Sequence, residues 1–107
     1  MDDKKVLEKI SRVLDDKKGM NIECIDVKEE TTLAEYFIIA SGTSNTHIRA
    51  LADNVEEELA KDGIKPTKIE GYDSNSWILI DYGFVVVHIF TESEREFYNL
   101  DDLWKKV

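Results

Sequence analysis

The chain carries one cysteine in 107 residues, Cys24. A lone thiol excludes an internal disulfide and a cysteine-based zinc site, and it fits a reducing compartment. No apolar run approaches the roughly 20 residues that a membrane-spanning helix requires. The opening Met1-Asp2-Asp3-Lys4-Lys5 is neither an apolar signal segment nor a basic transit peptide, so a cytoplasmic protein is expected. Basic residues are also scarce: 14 Lys and Arg stand against 23 Asp and Glu, a formal net charge of −9. Wrapping nucleic acid or lying on an anionic membrane needs a basic footprint, so neither is expected. A basic protein partner suits this charge through encounter rate and specificity. The same surplus also serves solubility alone, and acids such as Glu56, Glu57 and Glu58 read first as a solvated face.

With 42% hydrophobic and 35% charged residues, positions 1–107 read as a single globular domain with one modest core. Helical spacing of Val6, Leu7, Ile10, Val13 and Leu14 predicts a first helix from about Asp3 to Lys17, stopped by Gly19. Ile22 to Val27 reads as a short strand. Tyr36 to Ala40 is apolar on both faces, as an interior strand should be. A second amphipathic helix follows, with Ile48, Leu51, Ala52, Val55 and Leu59 on one face, Ser44 or Thr43 as its N-cap and Gly63 past its end. Pro66 to Glu70 reads as a third strand, so strand, helix and strand predict a crossover between parallel neighbours. Trp77 to Asp81 and Phe84 to Phe90 read as an antiparallel hairpin across Tyr82-Gly83, the latter strand central and covered on both sides. A helical segment opening at Thr91 offers Phe97, Leu100, Leu103 and Trp104 to pack back. The expected class is α+β, a mixed sheet of about five strands flanked by helices.

Tyr36 to Ala50, YFIIASGTSNTHIRA, ends an apolar strand in a small-residue turn that opens a helix. Such turns begin many phosphate-binding and nucleotidyl-transfer sites, because N–H groups at a helix start attract anions. Ser41, Gly42, Thr43 and Ser44 therefore read either as an anion cradle or as a capped strand-to-helix turn. Nucleotidyl transfer would also need paired carboxylates for a metal, and Glu70, Asp73 and Asp81 do not form a closely alternating pair. His47 stands in the first helical turn without a separate nucleophile, since Ser44 serves better as a cap, and His88 reads as a buried or half-buried histidine hydrogen-bonded across the sheet. Two histidines without cysteines make a poor metal set, so neither metal nor cofactor is expected. Cys24 reads as a small core residue with no cationic neighbour to activate it. Strand alternation puts Trp77, Leu79 and Asp81 on one face and Ile78 and Ile80 on the other. Trp77 is then either a hot spot for an Arg- or Lys-rich partner or a core residue beneath a second helical layer.

The segments YFIIASGTSNTHIRALADNVEEEL, the Glu70-Gly71 step, SWILIDYG, VVVHIF and REFYNLDDLW occur in one order between Tyr36 and Trp104. As an ordered set they resemble the ribosomal silencing factor family, also called Iojap-related. The resemblance implies a domain related to the nucleotidyltransferase fold without its active site, and a protein that is not an enzyme. It implies docking on the large ribosomal subunit, through the basic ribosomal protein numbered fourteen, where the chain would block joining of the small subunit when nutrients are scarce. An assembly factor at the same site is the alternative; a nucleotidyltransferase-like enzyme is the remote one. A homodimer is also implied. By position, Trp77, Leu79, Asp81, Tyr82 and Phe84 match the segment associated with partner contact, with Phe84 standing where the family pattern has an acidic residue. Ser41, Gly42, Thr43, Ser44 and His47 match a second family motif of structural or functional role.

Overall fold

The computed structural model describes residues 2–74 and 76–98. Helix α1 (Asp3–Asp16) forms where Val6, Ile10, Val13 and Leu14 line one stripe, and all four are buried. The Asp2 carboxylate caps it, accepting the Lys5 N–H at 2.9 Å. Its end comes within one residue of expectation. Lys18, not Gly19, takes the left-handed conformation (φ 68°), while the Gly19 N–H closes onto the Leu14 carbonyl at 2.7 Å. A Cβ on Gly19 would stand 2.9 Å from that same oxygen, so glycine is needed for close approach.

Strands β1 (Met20–Asp26) and β2 (Tyr36–Gly42) lead into helix α2 (Asn45–Ala60), and β3 (Lys68–Glu70), β4 (Trp77–Asp81), β5 (Val85–Thr91) and helix α3 (Glu92–Tyr98) follow. One five-stranded mixed sheet results, in the order β1-β2-β5-β4-β3. The hairpin is as expected, with Ile80 opposite Val87 and Ile78 opposite Ile89. The crossover is not. Strands β2 and β5 are the parallel neighbours, whereas β3 pairs antiparallel with β4 at the far edge. Burial explains the order. All but the last residue of β5 is buried, so it must lie inside the sheet, while three-residue β3, exposed at Lys68 and Glu70, suits an edge.

The sheet has two different faces. Ile38, Ala40, Ile78, Ile80, Val87 and Ile89 pack with the apolar stripes of α1 and α2 in one core. A smaller cluster on the opposite face holds Ile25, Phe37, Ile39, Val86 and Phe90, with Trp77 and Leu79 packed against it. Helix α3 meets this second face: the Arg95 guanidinium donates to Ser41 Oγ at 3.0 Å and lies 3.7 Å from the Glu23 carboxylate. The expected packing of Phe97, Leu100, Leu103 and Trp104 concerns side chains outside the described residues. Among the described residues no helix is long and apolar enough to cross a membrane.

Candidate functional site: the tryptophan face of the sheet

Period-two alternation along β4 buries Ile78 and Ile80 completely beneath the helices and turns Trp77, Leu79 and Asp81, each partly buried, to the opposite face. Trp77 is held from several directions. Its indole stacks on Phe90 with centroids 4.8 Å apart, and its Nε1–H donates to His88 Nδ1 at 3.3 Å. The Ser74 hydroxyl donates to the Trp77 carbonyl at 2.8 Å and accepts the Trp77 N–H at 3.2 Å. Gly71 adopts φ +75°, and a Cβ there would come within 2.2 Å of the Trp77 carbonyl oxygen. A side chain at position 71 would therefore displace the start of β4. Glu70 stands opposite Leu79 in the β3–β4 ladder, and Glu70, Gly71, Trp77 and Leu79 line a recess of about 200 Å³.

His88 lies below the indole, 5% exposed. Burial lowers its pKa to about 4, so the ring is neutral near pH 7. Because Nδ1 accepts from Trp77, the proton sits on Nε2, an atom without a hydrogen-bond partner among the described residues. His88, Gly71 and Ser74 are thus positioning residues for Trp77. The sequence signal for Gly71 and Ser74 is the Glu70-Gly71 turn three residues before Ser74; that for His88 is its place in the apolar run VVVHIF.

The remaining residues expected at a partner contact divide. Asp81 ends the tryptophan face, and its Oδ1 accepts the Gly83 N–H at 2.8 Å. Tyr82 and Phe84 pack instead against the helix-side core. The Tyr82 hydroxyl is buried without a partner among the described residues; desolvation first, and then the charge of Glu56, raise its pKa above the ordinary range. The Phe84 carbonyl accepts the N–H groups of Glu35 and Tyr36 at 2.8 and 3.0 Å. That ties the hairpin turn to the β1–β2 loop, where Leu33 is 78% exposed.

The Ser41–Ser44 turn resolves into a capped connection. Ser44 is the N-cap of α2, its Oγ accepting the His47 N–H at 3.1 Å. The Thr43 N–H, a donor an anion would need, goes to His47 Nδ1 at 2.9 Å. With Nδ1 accepting, Nε2 carries the ring proton toward the Lys17 carbonyl at 3.0 Å. His47 thereby joins the start of α2 to the end of α1. A Cβ on Gly42 would lie 2.8 Å from Ile48 Cγ2 and 3.1 Å from His47 Nδ1, so its smallness serves this packing. Ser41, 1% exposed, accepts from Arg95. Among the described residues no group of three or more His, Cys, Asp or Glu side chains is placed to hold a metal.

Cys24 corrects an expectation, because it is exposed rather than in the core. Strand β1 is a sheet edge, so its alternation does not guarantee cover. Desolvation and then the nearby charge of Asp26 raise the thiol pKa, which leaves it a poor nucleophile.

The same fold is found in known proteins. A crystal structure of a Chromobacterium violaceum protein matches with a TM-score of 0.94 at 33% identity, over 98% of this chain and 88% of that one. The Bacillus subtilis ribosomal silencing factor RsfS is 36% identical over 104 residues, 97% of this chain and 88% of its own length. A mouse protein named mitochondrial assembly of ribosomal large subunit protein 1 is 31% identical over 101 residues, 92% of this chain and 44% of its own length. The family model described as "Ribosomal silencing factor during starvation" matches residues 1–107. With sheet, capped turn and tryptophan face all carried on segments of that match, the chain belongs to the ribosomal silencing factor family.

Proposed function

We propose that this chain is a cytoplasmic translational repressor that docks on the large ribosomal subunit and sterically blocks joining of the small subunit under nutrient limitation. The supporting observation is the braced Trp77–Leu79 strip on the sheet face away from α1 and α2, bordered by Glu70 and Asp81. A rigid aromatic anchor with acids beside it suits a basic protein surface, and the net charge of −9 favours its encounter. The partner is a basic protein of the large subunit, the ribosomal protein numbered fourteen, contacted without direct binding of RNA. Occlusion requires no catalytic group, and the turn read as a phosphate cradle points its Thr43 and His47 N–H groups onto its own side chains.

The name of the mouse relative supports a second reading, an assembly factor acting at the same site. Co-sedimentation of the purified protein with isolated large subunits, small subunits and their mixture tests the first. Migration with large subunits alone, with fewer joined ribosomes, is the expected result. Migration with large subunits while joining is unaffected would favour assembly, and absence from every ribosomal fraction at low salt would refute both. Trp77→Ala is expected to weaken large-subunit binding by at least about 1 kcal/mol in a variant that still folds. Unchanged affinity would remove Trp77 from the contact.

A further inference from the structure

The recess beside Trp77 has walls of unlike chemistry. Glu70 supplies a carboxylate on one side, and Trp77 and Leu79 supply an aromatic and an aliphatic surface on the other. Glu70 and Leu79 are direct cross-strand partners, so the carboxylate projects from the face that carries the indole. The indole is fixed before any partner arrives by Phe90 and His88, and the two hydrogen bonds of Ser74 hold the Trp77 backbone that carries it. Gly71 closes the recess with bare backbone, in a conformation and at a contact distance that no side chain could share.

We propose that this recess is a socket for an arginine side chain of the docking partner, its guanidinium stacked on Trp77 and paired with Glu70 while its methylenes run along Leu79. The inference rests on the reading under Proposed function and adds Glu70 as a specificity residue. An acidic group next to an indole selects a cation, and tryptophan is the strongest aromatic partner for one. Arginine fits better than lysine, because a planar, weakly hydrated guanidinium can stack and still present a fork of N–H donors to a carboxylate. In the unbound chain Glu70 is paired with Lys68 at 3.5 Å, with the two side chains 59% and 56% exposed. So exposed a pair holds its partners weakly, and an incoming guanidinium can take the place of Lys68. A preformed aromatic wall also spares the entropy of ordering a large side chain on binding.

The test is equilibrium binding of the intact chain, Glu70→Gln, Trp77→Phe, the double variant and Trp77→Ala to purified large subunits at two salt concentrations. Thermal unfolding of each variant reports folding. Glu70→Gln is expected to weaken binding about tenfold and to make it less salt-dependent. The double variant is expected to lose less than the product of the single losses, since both groups hold one guanidinium. Wild-type affinity and salt dependence in Glu70→Gln, while Trp77→Ala still weakens binding, would overturn the socket and leave the docking surface standing. Independent, multiplying losses would overturn it equally. Failure of the wild-type chain to bind large subunits would overturn the docking reading itself. To separate the two cations, tetra-arginine and tetra-lysine peptides are titrated against the Trp77 indole N–H resonance, identified by its absence in Trp77→Phe. A larger shift with tetra-arginine that disappears in Glu70→Gln is expected; equal shifts, or none, would overturn the assignment to arginine.

Discussion

His88 shows how position in the sheet sets the chemistry of a single residue. An imidazole in a central strand loses its hydration, and its pKa falls to about 4 from an ordinary 6.5. The unfolded chain binds a proton below pH 6.5 that the folded chain refuses until about pH 4. The stability due to neutral His88 is therefore complete above pH 6.5 and is lost as pH falls toward 4, by about 3 kcal/mol in all. His88→Gln removes the titration, so its melting temperature is expected to fall less than the wild type's between pH 7 and pH 4.5; parallel curves would show that His88 is not the group responsible. At this scale the sequence was partly readable. Alternation along WILID was enough to separate Trp77 from Ile78, and the burial of His88 among valines was equally plain. The exposure of Cys24 was not, because an apolar-looking strand says nothing of whether it lies at an edge.

Elements were legible where a local rule governs them and illegible where pairing does. The stripe of α1, the cap of α2 and the β4–β5 hairpin follow from short-range patterns. The parallel neighbour of β2 does not: it is β5, 49 positions later at Tyr36 and Val85, chosen by burial across the whole sheet. Likewise the carbonyl that receives His47 belongs to Lys17, 30 residues away, so no motif within the turn could announce it. The turn can be dissected by its bonds. Ser44→Ala removes one cap and is expected to cost about 1 kcal/mol. His47→Ala leaves the Thr43 N–H and the Lys17 carbonyl without their side-chain partner and is expected to cost more, about 2 kcal/mol. Urea unfolding of both variants checks the order; equal costs would mean that the link between α1 and α2 contributes nothing beyond the cap.

For the molecule as a whole, the two sheet faces divide the labour. One is sealed by α1 and α2 and gives the domain its main core. The other presents a smaller apolar cluster edged by Trp77 and Leu79 and is the surface proposed for docking. A net charge of −9 on such a body draws it toward basic surfaces and away from exposed RNA, so association with large subunits is expected to slow as salt rises. The most direct test of the central claim is subunit joining followed by light scattering, as the protein is titrated into large subunits before small subunits are added. The account predicts that joining falls in proportion to the large subunits occupied and is restored by Trp77→Ala at the same concentration. Undiminished joining with large subunits fully occupied would contradict it.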